Sequence, residues 1–464
     1  MMKASALTHR YIARLEFEAV TPLFIGAGKS GALVDALIRT DWNGLPMIPG
    51  TSLTGVLRHD LEPGNDAAYW KDLFGHQDGN KGVGSRLRLS DALLIVDDDK
   101  VYEEANTQIP TQLLTILSNL PVRKHVRISK KGAAETNGLF DNQVLPKGAR
   151  FRCEIMLMGN ADDQLHWEAL LQTFSSPMFR IGQGTRNGYG KLKVHRMGSS
   201  VLDISGDKSA FNEFLNWDPS LNNGKPELKA PATLQHHVGE GIRSYQLALK
   251  PDDFFIFGSG RGDEHADQKP VTEWEFVYDQ SKKLSRSKPL TLIPATSIKG
   301  ALAHRVCYHH NRLNEWFVDD PKGCKAYTAE KCPAVQWLFG SASNENNDQG
   351  KGHVGRVIID DVLKAGVKDD SIFFHVTIDR FTGGALPGFL FSERVNNLPT
   401  TKDEDAIMLS VHVDMRDKAG YEDTFTQALE LALGDIWNGR LPLGGMTTKG
   451  HGVFRGKMSL IQKS

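Results

Sequence analysis

Four cysteines in 464 residues are too few for a disulfide framework. No apolar run is long enough to cross a bilayer, and the opening MMKASALTHRY lacks the apolar core of a signal peptide. These absences predict a cytoplasmic protein with no membrane partner. A phosphate-loop signature is also missing. The glycines at 182, 184, 188 and 190 are not followed by Lys-Ser or Lys-Thr and open no βαβ unit, which sets aside GTPase and dinucleotide chemistry. No charge of one sign dominates. The net charge of −1 argues against a protein that coats nucleic acid by bulk electrostatics, but leaves room for a basic groove balanced by acid elsewhere. Hydrophobic residues make up 40%, which marks a globular chain with length for two or three domains.

What the chain does contain is repeated. The glycine turn FIGAGK at 24–29 returns as IFGSGR at 256–261, with an offset of 232 (258−26). The helix start IPGTSLTG at 48–55 returns as IPATSIKG at 293–300, offset 245 (297−52). LFG at 73–75 matches WLFG at 337–340, SRLRLSDAL matches GRVIIDDVL, His125 matches His375 and RNGYG matches TKGHG, in the same order. One chain thus carries two copies of one unit.

Each copy reads strand, helix, strand, basic excursion, strand, helix, glycine loop, strand. RYIARLEFEAV at 10–20 alternates as a strand, Thr51 and Ser52 suit the start of a helix to about Leu61, and RFRCEIMLM at 150–158 is a further strand. The excursion at 123–148 concentrates Arg123, Lys124, His125, Arg127, Lys130 and Lys131. This order predicts an α+β fold of two tandem modified ferredoxin-like (RRM-like) domains, at 1–198 and 243–464, with a connector at 199–242. Neither copy shows the aromatic pair of an RNA-binding RRM sheet. The helix starts read either as phosphate cradles or as capped structural helices. The glycine loop at 179–194, with Arg180, Arg186 and Lys191, reads either as a surface for a polyanion or as an ordinary hairpin.

Gly26-Ala-Gly28, Val34-Asp35, Pro49-Gly-Thr-Ser52, Leu73-Phe-Gly75, Ser90-Asp91-Ala92, His125-Val-Arg-Ile128 and Gly188-Tyr-Gly190 together resemble the CRISPR-associated RAMP superfamily. More narrowly, the chain looks like the backbone subunits of type III effector complexes, with two units fused. The resemblance implies RAMP domains with a palm, a thumb-like hairpin formed by the excursion, and a groove for a guide RNA paired with a complementary target RNA. Other RAMP subunits and a large effector subunit would be its partners. RNA contacts would come from Gly26, Gly28, Lys29, Ser52, Arg58, Arg123, His125, Arg127, Arg186, Gly188 and Gly190 in the first unit. In the second they would come from Gly258, Gly260, Arg261, Ser297, Lys299, His375 and Lys449. In catalytic relatives an acid in the loop after the first glycine turn supports target cleavage, and Asp35 matches it. A register anchored on Asp41 and Asp279, offset 238, puts Glu273 there in the second unit, with Glu275, Asp263 and Asp267 as alternatives. Phe24 and Thr54 depart from residues usual in relatives, and Lys299 keeps the lysine that Thr54 replaces.

The implied reaction suits these residue types. RNA carries its own nucleophile, the 2′-hydroxyl. A carboxylate can hold Mg²⁺ or act as a base. The expectation is a metal-dependent endoribonuclease. The alternatives are an inactive guide-binding scaffold and a guide-processing endoribonuclease, for which His9 is the only early histidine. A second metal is expected to be structural. Between helix start and LFG the offset rises from 245 to 265, an insert of about twenty residues at about 307–333. Cys307, Cys324 and Cys332 with His304 or His310 would make one closed zinc site.

Overall fold

The structure is a computed structural model that describes residues 7–28, 35–63, 66–105, 108–128, 134–231, 241–317, 326–341, 352–398 and 405–462. The side chains of 127, 128, 134–137 and 462 lie outside that description. The chain forms two compact units. One comprises 1–185, 189–238 and 274–288; the other comprises 186–188, 239–273 and 289–464.

The first unit is built on His9–Ala19, whose alternate residues Tyr11, Ala13, Leu15 and Phe17 are buried. This strand pairs antiparallel with Leu192–Asp203 on one side and Arg150–Gly159 on the other. Leu87–Leu89 and Ala92–Leu94 pair with the far edge of Arg150–Gly159. Numbering the four main strand positions along the chain, the order is 4-1-3-2. Helices Gly50–Leu61 and Gln164–Thr173 bury Leu53, Leu57, Trp167 and Leu170 in the core formed by Tyr11, Leu15 and Phe17. Each such leucine contributes about 1.5–3 kcal/mol relative to exposure.

The second unit repeats this. Ile242–Pro251 lies between Phe454–Gln462 and Ile407–Asp414, and Val357–Ile359 pairs with the latter. The order is again 4-1-3-2. Ala295–Leu313 and Asp423–Trp437 supply Ile298, Leu302, Leu429 and Leu433 to its core. Both units are therefore ferredoxin-like, and in each a long hairpin interrupts the chain between the second and third strands. The first hairpin is Val122–Ile128 with Ala134–Gln143, and the second is Lys368–Ile378 with Ala385–Asn397.

The helix starts are closed. Asp91 Oδ1 accepts the Gly50 N–H at 2.8 Å, and Asp361 Oδ1 accepts the Ala295 N–H at 2.7 Å. A carboxylate already satisfies the positive end of each helix. This favours the capped structural reading of both helix starts over a phosphate cradle, because an anion there would meet like charge.

The other face of the first sheet is also covered. Arg14 and Glu16 are fully buried there. Arg152 donates to Glu16 at 2.6 and 2.9 Å and to the Leu221 carbonyl at 3.1 Å. Arg196 also donates to Glu16, at 2.5 and 2.9 Å. Arg14 donates to Glu154 and to the Asp218 carbonyl, and Trp217 Nε1 donates to Glu154 at 3.2 Å. Residues 217–223 of the expected connector thus lie on the surface that an RRM leaves open. Residues 199–203 of that connector continue the strand Leu192–Asp203, and Lys208–Leu215 is a helix.

Removing one partner from a buried ionic cluster leaves the other charge uncompensated. Glu16→Gln is expected to destabilise the protein by about 3–5 kcal/mol, read as a lower urea midpoint. An unchanged midpoint would show that Arg152 and Arg196 are satisfied without it.

Candidate nucleic-acid interface

The glycine turn and the run after it fold back on each other. Gly26 bridges Ile38, the Ala27 N–H donates to the Leu37 carbonyl at 2.9 Å, and the Arg39 N–H donates to the Ile25 carbonyl. The second copy repeats all three: Gly258 bridges Pro270, Ser259 donates to Lys269 and Val271 donates to Phe257. Every pair carries the offset 232, as in 258−26 and 270−38. The two loops therefore have the same length. The extra residues of the second copy come after Val271, not inside the loop.

That register moves the second candidate acid. Asp35 lies at the base of the first hairpin, where its Oδ2 accepts the Asp141 N–H at 2.9 Å. Asp141 Oδ1 accepts the Asp35 N–H in return, also at 2.9 Å. In the second copy, Asp267 Oδ2 accepts the Ser392 N–H at 2.7 Å and its hydroxyl at 3.0 Å. The Asp267 N–H donates to Ser392 Oγ at 3.2 Å. Ala36 bridges Asn142 in parallel, as Gln268 bridges Glu393. Asp267 is the counterpart of Asp35 (267−35 = 232). Glu273 is not. It is 4% exposed and sits in the short strand Thr272–Glu273, opposite Leu290. The expectation for Glu273 is corrected here, and its cause is the choice of Asp279 as anchor. Of the other acids considered, Glu275 pairs with Lys147 at 3.1 Å, and Asp263 accepts the His265 and Ala266 N–H groups. Among the described residues the Asp35 site has a second carboxylate, Asp141, which sequence reasoning missed. Its counterpart Ser392 brings a hydroxyl instead.

The inner faces of the hairpins also correspond. His125 stacks on Phe140 at 4.9 Å and its Nε2 meets Tyr189 Oη at 2.9 Å, while Arg123 lies over the Tyr189 ring. His375 stacks on Phe391 at 4.8 Å. Its Nε2 meets Glu393 Oε1 at 2.8 Å, which His451 Nε2 also meets at 3.1 Å. Glu393 is fully buried. Lys449 Nζ lies 4.0 Å from the Phe391 ring centre. Burial, and then the Arg123 charge, hold the His125 imidazole below its ordinary value.

The glycines of the last loop have a packing duty. A Cβ on Gly190 would stand 2.4 Å from the Ile181 carbonyl oxygen, and one on Gly452 2.0 Å from that of Leu443. Their N–H groups donate to Pro22 and Phe254, both at 2.9 Å. These loops hold the segment just before each glycine turn, which favours the hairpin reading over a polyanion surface.

The remaining expected contacts are dispersed. Gly28 and Gly260 have positive φ, and Arg261 is exposed. Arg58 pairs with Glu62 at 2.7 Å on its own helix. In the second unit, Arg186 Nε donates to the Gly355 carbonyl, and Gly188 lies against Asp361 and Ala295. Burial, then the Arg186 charge, lower the Lys299 ammonium from its ordinary value. Lys29 and Cys324, and the side chain of Arg127, lie outside the described residues.

A model of the RAMP superfamily matches residues 16–193 and 275–455. The chain belongs to the RAMP superfamily. One match falls on each copy of the repeat. A chain from a cryo-EM structure of type III-B Cmr-beta in the apo state is similar over 39% of this chain and 96% of its own. Identity is 16% and the TM-score 0.31. No curated protein matches. No helix among the described residues is long and apolar enough to cross a membrane.

Asp35 and Asp141 could share a divalent cation. Among the described residues no group of three or more His, Cys, Asp or Glu is arranged to hold a metal. Cys307 and Cys332 are buried. The hydrogen bond between their sulfurs, with burial, raises the Cys307 thiol, and the same bond lowers Cys332. His310 is buried with no partner on Nε2 among the described residues, whereas His304 is exposed.

A histidine whose folded pKa is depressed binds fewer protons than in the unfolded chain, so its contribution to stability is lost as pH falls below the unfolded value of about 6.5. Arg123→Gln removes the second cause of the His125 shift and leaves burial. The His125 ring resonances are expected to titrate at higher pH in that variant. An unmoved midpoint would leave burial as the sole cause.

Proposed function

We propose that this chain is a guide-RNA-binding backbone subunit of a type III CRISPR effector complex, which holds the guide–target duplex and cleaves the target RNA. The observation that carries this is the recurrence, in both copies, of an aspartate braced at the base of a long hairpin. RAMP membership over both copies supports it. The partners are the guide, its complementary target, other RAMP subunits and a large effector subunit, in the cytoplasm.

In this reading the hairpin and the glycine loops position the RNA, and Asp35 and Asp267 stand beside the scissile phosphates. The brace uses Asp35 Oδ2 and Asp141 Oδ1, so each carboxylate keeps one oxygen for a ligand. A bound Mg²⁺ would stabilise charge on the reacting phosphate, and the ion usually keeps several waters. Holding the 2′-hydroxyl, phosphorus and 5′-oxygen in line supplies the rest of the rate. A scaffold role without cleavage is the second reading. It is favoured for the second unit, where Ser392 leaves Asp267 without the neighbouring carboxylate that Asp35 has.

Cleavage of labelled guide-complementary RNA by the assembled complex tests this, with and without Mg²⁺. Asp35→Ala is expected to slow one product about 10²-fold or more, and Asp267→Ala a different one, with binding retained. Glu273→Ala is expected to leave the product pattern intact and to lower thermal stability. Unchanged products in both aspartate variants would sink the catalytic reading and leave the scaffold.

The zinc reading rests on the Cys307–Cys332 pair. Elemental analysis of the purified chain is expected to give about one zinc per chain, lost in Cys332→Ser. Metal-free wild-type protein with a normal unfolding curve would overturn it.

A further inference from the structure

The second unit buries a charged group that the cleavage reading does not use. Glu393 is fully buried, and its Oε2 has no hydrogen-bond partner among the described residues. Its Oε1 accepts from His375 Nε2 at 2.8 Å and from His451 Nε2 at 3.1 Å. These two histidines are its only ion-pair partners among the described residues. A buried carboxylate is strongly unfavourable without a counter-charge. One imidazolium supplies it, and a second would itself be left uncompensated. The arrangement therefore suits one protonated ring and one neutral ring.

Both rings turn Nε2 toward Glu393, so Nδ1 is the atom that each has left for other chemistry. On the neutral ring Nδ1 accepts a proton, and on the protonated ring it donates one. The side chains of His375 and His451 keep 25% and 11% exposure, so the pair is not sealed from solvent. Phe391, on which His375 stacks at 4.8 Å, also carries Lys449 Nζ at 4.0 Å from its ring centre. Phe373 and Phe254 flank His451 at 5.7 and 6.2 Å. Two imidazoles and an ammonium thus lie together on the inner face of this hairpin. Asp267 stands apart from them. It bonds to Ser392, whose side chain leaves the opposite face of the strand from that of Glu393.

We propose that His375 and His451 form an acid–base pair that cleaves an RNA phosphodiester without a metal ion. Glu393 positions both rings, and Lys449 holds the phosphate. The proposal goes beyond cleavage at the aspartates and rests only on RNA being held along the hairpin. The neutral Nδ1 takes the proton of the 2′-hydroxyl, and the 2′-oxygen forms a bond to phosphorus. The bond from phosphorus to the 5′-oxygen breaks, and that oxygen takes the proton from the other Nδ1. The products are a 2′,3′-cyclic phosphate and a 5′-hydroxyl, with no net gain or loss of protons or electrons. Glu393 fixes the tautomer and stabilises the imidazolium that forms, while the ammonium offsets charge on the phosphate oxygens. Guide and target RNA present the same bond.

The first unit lacks the pair. There Arg123 lies opposite Asn142, where the second unit has Phe373 opposite Glu393. His125 Nε2 meets the Tyr189 hydroxyl, and Tyr189 stands where His451 does in the repeat of RNGYG as TKGHG. That histidine has neither the buried carboxylate nor a second imidazole beside it. The metal-free centre therefore belongs to the second unit alone.

The test uses the assembled complex in EDTA, with Asp35→Asn and Asp267→Asn in place. These keep an acceptor for each hairpin brace and remove both aspartate-dependent cuts. Guide and target are labelled in turn, which identifies the strand that is cut. One strand is expected to break at one position and to leave a 2′,3′-cyclic phosphate. His375→Gln and His451→Gln retain an amide N–H for Glu393. Each is expected to slow this cut about 10²-fold or more, with RNA binding and the unfolding midpoint kept. Glu393→Gln is expected to lower kcat and leave KM unchanged, and a change confined to KM would overturn its positioning role. RNA with sulfur in place of the departing 5′-oxygen needs no acid. It should restore cutting in one histidine variant and not in the other. Rescue of neither, or of both, would overturn the acid–base pair, because a structural role predicts the same response from each. RNA that stays bound with no cut in EDTA would sink this proposal and leave the proposed function standing. RNA that fails to bind would sink both.

Discussion

The paired hydrogen bonds between the loop aspartate and the hairpin base are the constraint on which both candidate sites depend. A two-stranded hairpin that leaves its sheet is marginal alone and exposes unpaired backbone groups at its root. In the first unit those groups are met by the run after the glycine turn: Asp35 exchanges bonds with Asp141, and the Gln143 N–H donates to the Ala36 carbonyl at 3.1 Å. In the second unit Asp267 and Gln268 do the same with Ser392, Glu393 and Arg394. The acid stands where it does because a short polar side chain is needed to close the junction. Any chemistry it performs uses the oxygen that the brace leaves over.

The two copies keep this scaffold and change what surrounds it. His125 answers to a tyrosine, with an arginine beside it. His375 shares the fully buried Glu393 with His451. A buried carboxylate is costly unless cations or donors surround it, so the two histidines at the second site belong together as a set. Outward on the hairpins, Lys124 lies opposite Asp141, whereas Phe374 lies opposite Ser392 and is exposed. At that position one hairpin carries a pair of charged residues and the other an exposed ring. Equal function at the two sites would need different contacts to reach it.

The repeat, the element order and the ferredoxin-like class were legible, because glycine turns, helix starts and alternating strands each leave a local mark. Pairings between distant residues were not. The aspartates of SDAL and DDVL were visible as a repeated pair. Their task, capping helices that start 41 and 66 residues earlier, becomes visible only when the strands are in place. Glu273 was misplaced because a single anchor, Asp279, was carried across a length change. Asp279 lies within 274–288, which belongs to the first compact unit. The glycine turn itself carried the right offset and pointed to Asp267. Asp141 left a usable signal as well, since it directly follows the Leu-Phe pair that both hairpins share.

The closed sheet narrows where nucleic acid can be met. An RRM binds through the face of its sheet, with aromatic rings presented to bases. In the first unit that face holds Arg14, Glu16 and Arg152 in an ionic cluster beneath residues 217–223. Opening it would strand buried charges, at a cost comparable with a large part of a domain's whole stability. The face is committed to holding the fold. In the proposed reading, recognition in this unit falls to the parts that project beyond the sheet, namely the hairpin, the glycine turn and the acid between them. The same junction that stabilises the hairpin therefore also sets its position relative to the acid. A substitution there changes both together, so binding has to be measured beside cleavage before a loss of cleavage is assigned to chemistry.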